Sequence, residues 1–282
     1  MKININQVIG GVLLIFMSSC IPSQSFGTPI LQTPSPVFTS TFAATIPPTF
    51  TPTSTIAATP TTENAVEICS PLEGIDRAKL TKITSNPFEV PSPYVENGHP
   101  AIDFSFYRFE NYTTFANFPI QSILPGKVIL IENDRFPYGN MILIETPFTQ
   151  VDPGFLASIP QPTTLPPSIY TTDERCPING TPVTWNLEKK SLYVLYAHMA
   201  QEPDFSIGDT VSCGQRIGFA GKTGHAAEEH LHLEIRIGPS NAHFSSIGNY
   251  HSMNTPEERY NYCIWSLSGV FQPIDPAVLL YP

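Results

Sequence analysis

The sequence predicts a mainly β protein built around an antiparallel sheet. Between positions 125 and 237, apolar runs rich in β-branched residues alternate with turns that contain glycine or proline. The clearest of these runs alternates polar and apolar residues with the period of two that a strand requires. No segment shows a convincing helical period of 3.6 residues. Strands should therefore form the core.

Five stretches carry this prediction. "PGKVILIEN" (125–133) and "GNMILIET" (139–146) are separated by a short turn and are expected to pair as a hairpin. "LYVLYAHM" (192–199) and "HLHLEIRI" (230–237) are the third and fourth clear strands. "IGDTVSCGQRIGFAGKTG" (207–224) has a glycine every few residues, which is typical of short strands joined by tight turns.

Composition limits the classes of function. With 282 residues, of which 41% are hydrophobic, the chain can bury the core of one sizeable domain. The formal net charge is −10, so neither nucleic-acid binding nor a polybasic membrane-binding surface is expected. Only 13% of the residues are charged, which favours an exported β-rich protein over a helical cytosolic one.

Residues 1–19 have the pattern of an export signal. Lys2 precedes an apolar segment, 8–17, that is too short to span a bilayer and suits the hydrophobic region of a signal peptide. The Met-Ser-Ser-Cys sequence that ends at Cys20 resembles a bacterial lipobox. The resemblance implies lipid attachment to Cys20 and an anchor at the bacterial membrane, outside the cytoplasm. A plain secretory signal, and hence a secreted protein, is the alternative.

Residues 20–66 are expected to form a tether. The segment 21–66 contains twelve threonines, eight prolines and a single charged residue, Glu63. This composition lacks the apolar period of a packed element and predicts a disordered, semi-extended stalk. The folded domain should then extend over 67–282. It is interrupted at 147–190 by a long proline-rich insertion, which we expect to be either functional or disordered.

Cysteine usage agrees with export. If Cys20 carries lipid, four cysteines remain, namely Cys69, Cys176, Cys213 and Cys263. An even count in an exported chain is compatible with two disulfides, and three pairings are open. The sequence contains no Cys-x-x-Cys motif, which argues against a zinc ribbon.

The stretch 230–237 places its polar residues on one face of a strand. Since side chains alternate, its apolar residues face the core, and the opposite face presents His230, His232, Glu234 and Arg236. The two imidazoles are then about 6.5–7 Å apart along the strand. At that distance one can bind a metal while the other reaches a water on the metal. Glu234 is either a partner behind a ligand histidine or an exposed carboxylate.

Two further stretches supply residues of the same kind. "GHPAIDF" (98–104) puts His99 and Asp103 on one side of a strand, and His198 lies at the end of "LYVLYAHM". Two histidines and one carboxylate leave a fourth tetrahedral position open. That pattern is typical of a catalytic zinc site, whereas structural zinc sites are closed by four protein ligands.

Together these motifs resemble the lysostaphin-type (LytM-type) zinc metallopeptidases. The stretches quoted above occur in the family's order, and the final "PIDPAVLL" is similar to the family's usual ending. Close similarity covers about 98–146 and 191–238, roughly a third of the chain. The resemblance implies an antiparallel β-sheet groove of barrel-sandwich type (duplicated hybrid motif). It also implies cleavage of peptide bonds in bacterial peptidoglycan.

Carried over residue by residue, the resemblance implies that His99, Asp103 and His232 bind one Zn²⁺ ion. It implies that His230 and His198 flank the water and the substrate carbonyl. We expect His230 to act as general base and His198 to orient the water or stabilise the oxyanion, although these roles could be exchanged. The partners would be peptidoglycan peptides, of the cross-bridge or of the stem, and the protein is expected to be a monomer.

The chain departs from the family pattern at three places. Ala101 stands where the family usually has glycine, Glu228-Glu229 replaces a frequent Gly-Pro, and the 147–190 insertion is unusually long. The last two changes should affect substrate preference or cover the groove. The alternative function is a catalytically silent or autoinhibited wall-binding or regulatory protein on the same fold. Degenerate members usually lose metal ligands, whereas this chain retains all three.

Overall fold

The computed structural model describes residues 67–92, 95–159, 186, 188–249 and 254–282. The predicted export signal, the lipidated Cys20 and the tether lie outside the described residues, as does 160–185 of the insertion. Within the described ranges, no helix is long and apolar enough to cross a membrane.

The described residues form a mainly antiparallel β-sheet protein, which confirms the predicted fold class. One sheet has the order β1-β2-β9-β6-β5-β4-β7, and β10 pairs with β9 beyond the end of β2. A second sheet consists of β3 and β8. The strands are β1 (Thr84–Asn86), β2 (Ala101–Phe104), β3 (Pro119–Gln121), β4 (Gly126–Arg135), β5 (Gly139–Pro147), β6 (Lys190–Met199), β7 (Thr210–Val211), β8 (Arg216–Phe219), β9 (Leu231–Pro239) and β10 (Gln272–Ile274).

Short helical segments complete the fold. They are α1 (Pro153–Ser158), α2 (Pro256–Ser266) and α3 (Ala277–Leu280), with 3₁₀ turns at Arg77–Lys82 and Phe148–Gln150. The insertion predicted at 147–190 thus begins with a 3₁₀ turn and a short helix rather than with irregular loop.

The large sheet is covered by apolar side chains on both faces. Along β6, Val194 and Tyr196 join one apolar cluster, whereas Tyr193 and Leu195 join another on the opposite face. The first cluster also receives the four apolar residues of β9, Leu231, Leu233, Ile235 and Ile237. The alternation predicted for β9 therefore holds, but its polar face is also covered along part of its length.

Helix α2 provides that cover, although no helical period in the sequence predicted it. Its start is marked by a capping box. The Thr255 hydroxyl accepts from the Glu258 backbone N–H, and the Glu258 carboxylate accepts from the Thr255 backbone N–H. Pro256 lies in the first turn. Its buried residues include the consecutive run Tyr262–Trp265. Such a run masks the period of 3.6, because it does not make the single apolar stripe by which a surface helix is recognised.

A disulfide links the start of the domain to a segment far along the chain. Cys69 bonds to Cys213, which lies between β7 and β8 and is 144 positions away. This selects one of the open pairings for Cys69 and Cys213. Cys176 lies outside the described residues.

Candidate metal centre

Asp103 and His232 face each other on neighbouring antiparallel strands. The register of β2 and β9 places them directly opposite, and Nδ1 of His232 lies 2.9 Å from Oδ1 of Asp103. The other carboxylate oxygen of Asp103 is 3.2 Å from Nε2 of His99. His99 precedes β2 and exchanges two backbone hydrogen bonds with Glu89. One potential ligand atom from each of the three side chains lies within 4.8 Å of the others.

The other ring nitrogen of each of these histidines is already engaged. Nδ1 of His99 donates to the carbonyl oxygen of Pro87 at 3.0 Å, and Nε2 of His232 donates to Oε1 of Glu234 at 3.2 Å. A neutral imidazole carries one N–H and one lone pair. Nε2 of His99 and Nδ1 of His232 are therefore the nitrogens that face Asp103, and each offers a lone pair once a cation replaces the proton that it shares with this carboxylate.

His198 and His230 stand beside this group. Their ring centres are 4.6 Å apart, and the His198 ring is 5.4 Å from that of His232. Nδ1 of His198 donates to the carbonyl oxygen of Thr223 at 2.8 Å, and Nδ1 of His230 donates to that of Glu228 at 2.9 Å. In both rings Nε2 is thus left with its lone pair. His198, His230 and His232 form a second group whose ligand atoms are close enough to share an ion.

The glycine-rich loop before β9 holds His198 in position. Gly139 and Gly224 both have positive φ, and a Cβ on Gly139 would lie only 2.4 Å from Thr223. Only glycine permits this approach without strain. The Thr223 hydroxyl donates to the carbonyl oxygen of Met199 at 2.8 Å, next to His198, which itself has a φ of 58°. The loop and the end of β6 are therefore locked together.

The carboxylates near the metal position are ionised. Burial raises the pKa of Asp103, but hydrogen bonds from His232 and His99 outweigh it and hold that pKa well below its usual range. Burial also raises the pKa of Glu234, yet the charge of Arg236 and the contact with His232 bring it down to about 2. Burial lowers the pKa of His232, but its bonds to Asp103 and Glu234 raise it to about 9. This negative environment favours a cation.

His198 is shifted in the opposite direction. Burial, followed by the neighbouring His232 and His230, lowers its pKa to about 3. Its imidazole is therefore neutral at physiological pH and keeps the lone pair on Nε2.

A cavity of ≈ 390 Å³ opens beside these side chains. It is of the size that binds small ligands in other proteins. Its walls include Pro91, Val95, His225, Tyr262 and Leu267. The site therefore has room for part of a peptide next to the histidines.

The donor set fits zinc. Two imidazole nitrogens and one carboxylate oxygen are ligands that zinc accepts, and three protein ligands leave a fourth position for water or substrate. In both histidines the ring nitrogen that faces away from Asp103 makes a hydrogen bond to another group, as is usual for histidines that bind a metal.

The structure brings all five predicted site residues together, namely His99, Asp103, His198, His230 and His232. Their roles stay predictions. The exposed alternative for Glu234 is wrong, because only 1% of this residue is accessible and it contacts His232. The cause is α2, which covers that end of the polar face.

Sequence reasoning missed two residues behind the ligands. The hydroxyl of Tyr138 donates to Oε1 of Glu234 at 2.8 Å, and the indole of Trp265 donates to that hydroxyl at 3.2 Å. Tyr138 lies in the hairpin turn and Trp265 in α2, so no strand pattern pointed to either. The one sequence signal for either residue was Thr-Pro-Glu-Glu at 255–258, which is typical of the start of a helix.

Several solved structures are similar to this chain. A zinc-containing peptidase from Vibrio cholerae is 20% identical, with 54% of this chain and 32% of that chain covered and a TM-score of 0.31. The catalytic domain of the antimicrobial peptidase lysostaphin from Staphylococcus simulans is 17% identical, with 71% and 94% covered and a TM-score of 0.36. The catalytic domain of the prophage-encoded M23 protein EnpA from Enterococcus faecalis, in a mutant form, is 17% identical, with 64% and 91% covered and a TM-score of 0.34.

A search of curated proteins found no match. A family model, described as Peptidase family M23, matches residues 177–244. This segment includes His198, His230 and His232, whereas His99 and Asp103 precede it. The match to this segment confirms the resemblance to the lysostaphin-type metallopeptidases.

Proposed function

We propose that the protein is a zinc-dependent endopeptidase that hydrolyses peptide bonds of bacterial peptidoglycan. The observation that carries this proposal is the convergence of four histidine ring nitrogens and one ionised carboxylate at the edge of a cavity. Each of the four rings is fixed by a hydrogen bond on its other nitrogen, so the arrangement is preorganised.

In this proposal Nε2 of His99, the carboxylate of Asp103 and Nδ1 of His232 hold one zinc ion. When bound, zinc polarises a carbonyl oxygen and lowers the pKa of water to about 7. All three side chains come from β2, β9 and the segment that precedes β2, so regular backbone pairing supports the ligand geometry.

His198 and His230 divide the proton handling between them. Nε2 of neutral His198 accepts a hydrogen bond from the attacking water and orients it, because its Nδ1–H is committed to Thr223. Nε2 of His230 takes the proton of that water as a C–O bond forms at the substrate carbonyl. The same proton then passes to the leaving amine nitrogen as the C–N bond breaks. No proton is gained or lost overall in this transfer.

Delivery to the cell wall completes the proposal. A lipid on Cys20 would hold the chain at the membrane outside the cytoplasm, and the threonine- and proline-rich 20–66 tether would let the domain reach peptidoglycan peptides. A monomer suffices, because all five proposed site residues come from one chain.

The test measures zinc content and lysis together. We expect the purified chain to contain one zinc per molecule and to reduce the turbidity of a peptidoglycan suspension. His232→Ala should lose both. His230→Gln should keep zinc and lose about 10²–10⁴-fold in rate. His243→Ala, at an exposed histidine that does not line the cavity, is the matched control and should behave as wild type.

Two results would contradict the proposal in different ways. A well-folded chain without zinc would remove the metallopeptidase assignment. A zinc-loaded chain without lysis on several peptidoglycan types would identify a catalytically silent wall-binding or regulatory protein.

A further inference from the structure

A chain of buried hydrogen bonds connects helix α2 to the candidate metal centre. Nε1 of Trp265 lies 3.2 Å from the hydroxyl of Tyr138, which lies 2.8 Å from Oε1 of Glu234. The same oxygen lies 3.2 Å from Nε2 of His232. Exposure is 0% for Trp265, 6% for Tyr138 and 1% for Glu234, so water does not compete for these bonds.

Chemistry fixes the direction of every bond in this chain. An indole nitrogen can only donate, so the Tyr138 oxygen accepts from Trp265 and its own proton is directed to Glu234. An ionised carboxylate can only accept, so His232 must donate from Nε2. A neutral imidazole that donates from Nε2 has its lone pair at Nδ1, the nitrogen that lies 2.9 Å from Asp103.

Arg236 keeps Glu234 in the accepting state. Its Nε donates to Oε2 of Glu234 at 2.7 Å, and its Nη1 donates to the backbone carbonyls of Trp265 and Phe271. The guanidinium also lies 4.9 Å from the centre of the Trp265 ring. Glu234 therefore has one oxygen occupied by a fixed cation and the other shared by Tyr138 and His232.

We propose that Glu234 and Tyr138 are positioning residues that hold His232 with Nδ1 directed at the metal. This deepens the proposed function and rests on it, because it requires that His232 binds a metal. Neither residue touches substrate in this proposal. Their contribution is to select one tautomer and one ring orientation before the metal arrives.

A second buried glutamate that accepts from a tyrosine hydroxyl provides matched controls. Oε1 of Glu145 accepts from the hydroxyls of Tyr193 and Ser191 at 3.1 and 2.7 Å. Glu145 and Tyr193 are 4% and 0% exposed, and Tyr193 belongs to the same apolar cluster as Tyr138. Among the described residues, the side chain of Glu145 has no hydrogen bond to a candidate metal ligand. Substitutions there report what a purely structural role would cost.

The experiment measures the zinc dissociation constant of the purified full chain by competition with a chromophoric chelator. Glu234→Gln should weaken zinc binding about 10–100-fold, as loss of such outer contacts generally does. The new amide has to present oxygen to Arg236, so its NH₂ faces His232 and favours the wrong tautomer. Tyr138→Phe should weaken zinc binding about three- to tenfold, as expected for one lost hydrogen bond.

The matched variants Glu145→Gln and Tyr193→Phe should keep zinc affinity within about twofold, the usual non-additivity of distant sites, even if they lower the melting temperature. In the zinc-loaded wild type, a long-range ¹H–¹⁵N spectrum should show a proton on Nε2 of His232. A structural role alone would not move this signal, whereas Glu234→Gln removes the acceptor of this proton and should therefore shift the signal and speed the exchange of the proton with water.

The outcomes separate the two proposals. If wild type binds zinc and Tyr138→Phe binds it equally well, the positioning role is overturned, and a folded Glu234→Gln with unchanged affinity would overturn it as well. Glu234→Gln removes the counter-charge of Arg236 and could prevent folding. In that case the zinc affinity of Tyr138→Phe alone tests the positioning role. If wild type itself binds no zinc, both the positioning role and the proposed function are overturned.

Discussion

The carbonyl oxygen of Thr223 lies 2.8 Å from Nδ1 of His198, so a loop residue sets the tautomer of a histidine that precedes it by 25 positions. The side chain of Thr223 secures this contact. Its hydroxyl donates to the carbonyl oxygen of Met199 and accepts from the backbone N–H of Asn140.

Removal of the Thr223 hydroxyl should loosen this loop. We expect Thr223→Val, which is nearly isosteric, to lower the free energy of unfolding by about 1–3 kcal/mol, because the Asn140 N–H loses its partner and the Met199 carbonyl loses one of its two donors. The rate of peptidoglycan hydrolysis should fall as His198 loses its fixed orientation. Urea unfolding and the turbidity assay measure the two effects. Thr223→Ser keeps the hydroxyl and should retain both properties, and equal behaviour of Val and Ser variants would contradict the assigned contact.

Zinc binding should release protons at neutral pH. The pKa of His232 is raised to about 9, so its Nδ1 is protonated below that pH and must lose the proton to become a ligand. Zinc affinity should therefore fall as pH falls, by about tenfold per unit for one competing proton. Titration calorimetry in buffers of different ionisation enthalpy counts the protons. Binding without proton release at pH 7 would show that His232 is not the ligand.

The Cys69–Cys213 disulfide should contribute substantially to stability. It closes a loop of 144 positions, and cross-links of this kind contribute about 2–5 kcal/mol, largely by restricting the unfolded chain. Replacement of both cysteines by serine should lower the free energy of unfolding by that amount in guanidinium titrations. Replacement of both residues avoids a new free thiol. A loss far smaller than this range would mean that the unfolded chain is not restricted by this link.

Glu132 should make the protein less stable as pH rises. Burial is the main cause that raises its pKa, although its Oε1 accepts from the Ser246 hydroxyl and the Ile247 backbone. A carboxyl whose folded pKa lies above its usual 4.5 keeps its proton longer when folded. The stability it contributes is thus present below pH 4.5 and is lost as pH rises through the folded pKa.

Glu132→Gln keeps a hydrogen-bonding oxygen at this position and removes the charge. Between pH 4 and pH 8, urea unfolding should show that the variant gains stability relative to wild type. A stability difference that is the same at both pH values would show that Glu132 stays protonated or stays charged throughout this range.

The strands and the site followed from residue periodicity to a large extent. Strands β4, β5, β6 and β9 lie where alternation and turn residues predicted them. His99, Asp103 and His232 were placed on one side of two strands by the period of two. Their convergence required the resemblance to the family, because register between β2 and β9 depends on pairing over more than a hundred residues.

The residues that contact the proposed ligands from behind could not be predicted from periodicity. Glu234 and Arg236 occupy the polar face of an alternating strand, and such a face is usually exposed to solvent. They are buried by tertiary contacts, with Trp265 of α2 and Phe271 against Arg236 and Tyr138 against Glu234. No local pattern specifies which helix covers which end of a sheet, so the choice between an outer contact and an exposed carboxylate needed the structure.

The strand order of the large sheet also affects the tendency of the protein to aggregate. The strands at its two ends, β1 and β7, have three and two residues, whereas the interior strands β5, β6 and β9 have nine or ten. Long unpaired edges are templates on which other chains add and aggregate. Here these long strands are paired on both sides, and short stubs stand at the ends of the described sheet. Strand length therefore protects these three interior strands against edge-to-edge aggregation, whereas β4 pairs with β7 only at Gly126 and Lys127.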